Sequence, residues 1–302
     1  MLYLCHMSLV SAILSTVAFF DIFDHPLTAF EIREYLPVAA NLEEVMTALE
    51  RSPLARAEGY FFLPGRENLP AVRRQRYIAT DIKIKKARRR LRIFSWLPWI
   101  RLIALANVIG THNLRPGGDT DLFIITRPGR LWLTKVCATI ILKLSNLRPT
   151  PSHSADRLCL SFLVDEQSLN LSTFRLDNDD HYFAYWFASL VPLYGDPATY
   201  HKLIQNNTWL SEVLPNFPRE RALPRLRFRH SNHKDWLAFL GGMGERFARR
   251  IQSLFMAPAI RELANKDRRV VVTDHVLKLH TVDRRDYFKT EHAKRLQAFP
   301  NL

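Results

Sequence analysis

The sequence predicts an α+β protein, and three observations carry that reading. Within the first 70 residues an apolar helix and two capped helical segments are followed by a short hairpin. Between about residues 98 and 175, strand-length apolar runs alternate with an amphipathic helix. From 176 to 302 the pattern is mainly helical and rich in aromatic residues, and a basic stretch over 71–97 joins the first two regions.

A chain of 302 residues has room for about two domains at roughly 150 residues each. With 47% hydrophobic residues it can build an ordinary core, so disordered and fibrous classes are excluded. Its charge is unusual: 43 Lys and Arg against 29 Asp and Glu leave +14, with a pI near 10.0. Such a balance favours nucleic acid, nucleotides or acidic membrane surface as partners and says nothing about fold. Cys5, Cys137 and Cys159 are widely spaced and odd in number. They argue against a disulfide framework or a zinc site and fit a reducing cytoplasm.

The elements follow in order. "MLYLCHMSLVSAILSTVAFF" carries no charge, but it lacks a basic leader and a clear cleavage site, and serines interrupt it. A buried helix is expected there rather than a targeting segment, and no membrane partner is expected. Thr28 with Glu31, and Asn41 with Glu44, each form a capping box that opens a helix. Glu58-Gly59 then sits between two short apolar runs as a hairpin turn. Three helices followed by a hairpin resemble a winged helix-turn-helix domain over 1–70. Its third helix offers Glu43, Glu44 and Glu50 against Arg51 alone, which opposes insertion into a DNA groove. Protein-facing or structural use is the alternative to DNA reading.

Residues 73–92 hold ten cations and one acid, Asp81. The spacing predicts a long helix with one basic face. It is either a solvated connector or a phosphate-tracking surface for RNA or DNA, with Lys85, Lys86, Arg88, Arg89 and Arg90 as the contacts.

The central region carries the chemistry. "IRLIALANVIG" is an apolar run ending at Gly110, "DLFIIT" a second strand and "RLCLSFLV" a third. Asp119 and Asp121 flank Thr120 at the head of the second strand, where their side chains share a face and repel unless a cation lies between them. The alternative is an ordinary polar turn. A strand ending in Gly110-Thr111, a short polar stretch and then Asp119-Thr120-Asp121-Leu122-Phe123 resembles the DNA polymerase β-like nucleotidyltransferase superfamily over roughly 98–170. With an N-terminal winged helix, the arrangement is also similar to bacterial nucleotidyltransferase-domain proteins.

The resemblance implies a mixed sheet with flanking helices, Mg²⁺ held by Asp119 and Asp121, and a nucleoside triphosphate, ATP foremost, as substrate. It implies transfer of a nucleoside monophosphate to a hydroxyl acceptor. Gly110 and Thr111 would cradle phosphate, and Arg130 and Lys135 would reach the outer phosphates unless they are only a solvated helical turn. The family supplies a third carboxylate from a later strand. Here "CLSFLVD" has Ser161 in its middle, and Asp165 is the candidate substitute; otherwise the position is vacant. Vacancy would favour a non-catalytic nucleic-acid-binding or regulatory protein that keeps the fold.

Further on, Tyr182, Tyr185, Trp186 and Trp209 are expected in the core. His275, His280 and Asp283 lack a metal-binding spacing and are expected to play hydrogen-bonded structural roles.

Overall fold

The computed structural model describes residues 8–299 apart from 108, 111, 115, 116, 151, 178, 179, 219–222, 224, 226 and 229–240. The chain opens with α1 (Leu9–Asp21), α2 (Ala29–Tyr35) and α3 (Leu42–Glu50). Both expected capping boxes form: Thr28 with Glu31, and Asn41 with Glu44, each satisfy two backbone donors that a bare helix end would leave unpaired. The hairpin follows as β1 (Ala55–Ala57) and β2 (Tyr60–Phe62), with Glu58 and Gly59 both at positive φ in its turn. Leu27, between α1 and α2, bridges antiparallel to Phe61 and ties the hairpin back to the helices. Residues 1–7 of the apolar opening segment lie outside the described residues; from Leu9 it is a helix, buried from Ala12 onward, and among the described residues no helix is long and apolar enough to cross a membrane.

The basic stretch is one helix, α4 (Leu69–Arg90), started by Pro70 in its first turn. It leads through a 3₁₀ segment (Leu91–Trp96) into β3 (Ile100–Leu105). Then come β4 (Thr120–Thr126), α5 (Leu131–Leu144) and β5 (Leu158–Asp165).

Beyond residue 175 lie α6 (His181–Ala188), β6 (Val191–Gly195), α7 (Pro197–Gln205), α8 (Trp209–Val213) and β7 (Arg227–Phe228). The chain closes with α9 (Gly241–Leu254), α10 (Pro258–Leu263), β8 (Val270–Val272), β9 (Val276–Leu279) and α11 (Arg285–Leu296). Among the described residues, seven strands form one mixed sheet in the order β7-β6-β3-β4-β5-β9-β8. β4 and β5 run parallel across the α5 crossover, while β3 is antiparallel to both of its neighbours.

The sheet therefore extends past the region where the sequence suggested it ended. Four of its strands come from the C-terminal part, which is not purely helical. "VVVTDHVLKL" hid a two-stranded edge because its runs are short, and a run of that length does not separate strand from helix by periodicity.

Alternation along β4 sorts its side chains between two cores. Phe123 and Ile125 face the cluster that holds α1–α3, α6 and α8, with Phe162 and Trp186 at its centre. Leu122 and Ile124 face the cluster under α5 and α9, with Trp99 and Trp132. One continuous apolar cluster runs from α1 through the sheet, so the N-terminal helices are packed on the same face as Phe123. Tyr185, Trp186 and Trp209 are buried in it.

Candidate metal centre

β4 sets the centre. Asp119 precedes the strand and Asp121 lies near its start, and the parallel register puts Cys159 of β5 opposite Asp121. One carboxylate oxygen of each aspartate and the Cys159 sulfur lie within 4.8 Å of one another, all three residues half-buried. Cys159 and Ser161 both donate to the Asp121 carboxylate, Ser161 Oγ at 3.4 Å. Burial first, and the Asp119 charge second, push the Asp121 carboxyl up to about 6. Burial and the same two carboxylates push the Cys159 thiol up to about 12. The charged form of each group is thus penalised in this cluster.

Asn107, just beyond β3, lies beside Asp119. Its Nδ2 donates to the Asp119 carbonyl at 2.9 Å, while its Oδ1 is buried with no hydrogen-bond partner. Lys83 of α4 donates from Nζ to the Gly118 carbonyl at 2.8 Å. Its amine is lowered by burial, with Asp156 and then Asp119 opposing that shift.

The expected partners fall in different places. Gly110 has a φ of 80°, and a Cβ there would lie 2.5 Å from the His25 ring. Its amide donates to Ser189 Oγ at 3.1 Å. The close approach that requires glycine is to the His25 ring. Thr111 lies outside the described residues.

Asp165 is not brought to the aspartates. It pairs in register with Thr126, six residues along β5 from Cys159, about 20 Å at roughly 3.3 Å per residue. There its buried carboxylate takes a 2.7 Å contact from His275 Nδ1 and a 3.0 Å bond from the Gln167 amide. Asp165 and His275 together staple β5 to β9.

Arg130 follows the far end of β4 and donates to the Gly129 carbonyl at 3.0 Å. The amides of the first turn of α5 are also taken: Trp132 and Leu133 donate to Glu245 at 2.6 and 3.0 Å. A carboxylate of this chain thus holds the seat a phosphate would use. Lys135 is buried beneath the sheet and donates to the Leu160 carbonyl at 2.5 Å. Burial lowers its amine to about 8, with Cys159 opposing.

The basic helix divides into two faces. Arg73 is buried, 2.6 Å from Glu31 and 3.1 Å from His25 Nε2. Arg76 binds Asp24 at 2.8 Å, Lys86 reaches Asp156 at 2.5 Å, and Arg90 donates to the Asp156 carbonyl. These contacts staple α4 to the N-terminal helices and to the approach to β5. On the outer side Lys85, Arg88, Arg89 and Arg92 line one surface cleft, with Lys85 also 2.7 Å from Asp81. Of the expected nucleic-acid contacts, Lys86 and Arg90 are turned to structural use, while Lys85, Arg88 and Arg89 share the cleft.

Cys159, Asn107 and Lys83 escaped sequence reasoning. Cys159 sits at the alternate position from Ser161, so the pairing of strands rather than a motif reveals it. Comparison of the chain with protein-family models, with curated proteins and with solved structures finds no match.

Proposed function

We propose that this chain is a divalent-metal-dependent nucleotidyltransferase that moves a nucleoside monophosphate from a nucleoside triphosphate, ATP foremost, to a hydroxyl acceptor. The observation that supports it is the convergence of Asp119, Asp121 and Cys159 within 4.8 Å at the head of β4. The donor set fits a divalent cation. Its two carboxylates are oxygen ligands of the kind Mg²⁺ takes.

Asp119 and Asp121 would hold Mg²⁺, which when bound supplies charge neutralisation at the triphosphate. Burial and the Asp119 charge raise the Asp121 carboxyl to about 6, and a bound cation would favour its ionised form. Lys83 fixes the Gly118 carbonyl and with it the approach of Asp119. Ser161 holds the Asp121 rotamer through its hydroxyl.

A second reading, metal-nucleotide binding without transfer, is favoured by one observation. The place opposite Asp121, where a third carboxylate would accept the acceptor's proton, holds the Cys159 thiol. Pyrophosphate release from MgATP and a pool of hydroxyl acceptors separates the two readings. Release that disappears in Asp119→Ala supports transfer, whereas binding without release supports the second reading.

The N-terminal unit is read as a winged helix, supported by three helices, the β1–β2 hairpin and the Leu27–Phe61 bridge. Its third helix exposes Glu43, Glu44 and Glu50, so this unit faces protein rather than DNA. An RNA or DNA acceptor would instead lie along the outer cleft of α4.

A further inference from the structure

A cavity of about 300 Å³ opens on the sheet face that carries Phe123, at the junction of β5, α6 and the segment after β9. That volume is at the lower end of ordinary small-ligand sites, roughly 300–1,000 Å³. One side of its wall is aromatic, and Lys278, Asp283, Arg284 and Arg285 line much of the rest. Phe162 and Trp186 stack with centroids 5.7 Å apart, and Phe183 stacks on Trp186 at 5.2 Å. Tyr182 lies nearly parallel to Phe288 at 4.8 Å and an interplanar angle of 9°.

Set among these rings is His280. Its imidazole meets Phe162 edge-on at 6.3 Å, and its Nδ1 is buried without a hydrogen-bond partner. Burial, and then the charge of Lys278, hold this ring neutral, with a pKa of about 4. Flat apolar walls and one neutral nitrogen-bearing ring favour a planar heterocycle over an aliphatic or highly charged ligand. The cations near the cavity are largely engaged: Lys278 donates to the Arg268 and Arg269 carbonyls, and Arg285 binds Asp283 and Asp180.

The cavity lies close to the metal centre along the strands. Phe162 follows Ser161, whose hydroxyl donates to Asp121. In register Phe162 stands opposite Phe123, two residues from Asp121, about 7 Å along the strand at roughly 3.3 Å per residue. The Tyr182 hydroxyl, raised to about 12 by burial, also feels the Asp121 charge.

We propose that the cavity walled by Phe162, Tyr182, Trp186 and His280 is a nucleobase pocket, seating the ring of a nucleotide whose phosphates are held at Asp119 and Asp121. The phosphate half of this statement rests on the function proposed above; the pocket itself does not.

The test uses the full chain and the four ribonucleosides without phosphate or divalent metal, followed by equilibrium dialysis. At least one nucleoside binds saturably to the wild type, and Asp119→Asn/Asp121→Asn binds it equally well. Val282 is 70% exposed at the cavity, so Val282→Trp fills the space without disturbing the core. That variant weakens nucleoside binding about tenfold or more, and His280→Leu weakens it in the same direction. Mn²⁺ binding, read by water-proton relaxation, is unchanged in Val282→Trp. The pocket is overturned if no nucleoside saturates the folded wild type, or if Val282→Trp binds as the wild type does. Nucleoside binding with no Mn²⁺ binding would sustain the pocket and remove the metal reading, so the two failures are distinct.

Discussion

Asp121 and Cys159 stand opposite one another across the parallel β4–β5 pair, and the thiol donates to the carboxylate. Cys159 therefore occupies the place from which a third carboxylate would complete a metal cage. Cys159→Asp should raise Mg²⁺ affinity by about tenfold, the effect of about 1.4 kcal/mol from one added oxygen ligand. In the absence of metal the same change should lower stability, because three carboxylates then share one half-buried site. Thermal shifts with and without Mg²⁺ should move in opposite directions relative to the wild type. Parallel shifts would remove Cys159 from the centre.

Gly110 is packed against the His25 ring of the N-terminal unit. Gly110→Ala should cost about 2 kcal/mol or more, from the left-handed backbone and from contact with the His25 ring. Urea unfolding measures this. A cost of a few tenths would mean that the ring yields freely.

Arg73 joins Glu31, His25 and the Pro26 carbonyl in one buried network. Removing it leaves Glu31 as an uncompensated buried charge. Arg73→Ala should therefore destabilise the chain by about 3–5 kcal/mol. The same substitution at exposed Arg74, whose partner Glu58 is also exposed, should cost less than about 1 kcal/mol.

Acid should loosen the same junction. Burial first and Arg73 second depress the His25 imidazole to about 3, against an ordinary 6.5; Glu31 opposes the shift, while Arg76 and His112 add to it. The unfolded chain takes up a proton below about pH 6.5 that the folded chain refuses until about pH 3. Stability from this group is therefore complete above pH 6.5 and falls as the pH drops through that window. His292, lowered to about 4 mainly by burial between α11 and α1, acts in the same direction. Each imidazole contributes at most about 1.4 kcal/mol per pH unit. His25→Gln should reduce the slope of unfolding free energy between pH 6 and 4 by about one proton, measured by urea titration at several pH values. An unchanged slope would contradict the assignment.

The outer face of α4 should bind polyanions. Arg89→Ala with Arg92→Ala should weaken binding to a single-stranded oligonucleotide and flatten its salt dependence by up to about one unit of slope for each phosphate no longer neutralised. Lys86→Ala should leave binding nearly intact, because Lys86 is spent on Asp156. Filter binding over a range of salt concentrations distinguishes the two faces.

The parts of the fold legible in the sequence are those written in local chemistry. Thr28 with Glu31 and Asn41 with Glu44 marked two helix starts, Glu58-Gly59 marked the hairpin, and the apolar runs near Ile103 and Ile124 marked central strands. The pairing of Asp119 with Asp121 was legible because it follows from alternation alone. What depends on which strand lies beside which was not legible. The β5 register, which brings Cys159 to Asp121 and sends Asp165 to Thr126, is a long-range fact with no local signal. The contact of Gly110 with His25, 85 residues earlier in the chain, is likewise a long-range fact with no local signal.

The central claim is that Asp119 and Asp121 hold a metal that in turn holds a nucleotide. Calorimetric titration of MgATP into the wild type and into Asp119→Ala/Asp121→Ala tests it most directly. The account predicts saturable binding by the wild type and its loss in the variant, with the variant's unfolding still cooperative. Equal binding by both proteins, or none by the folded wild type, would contradict it.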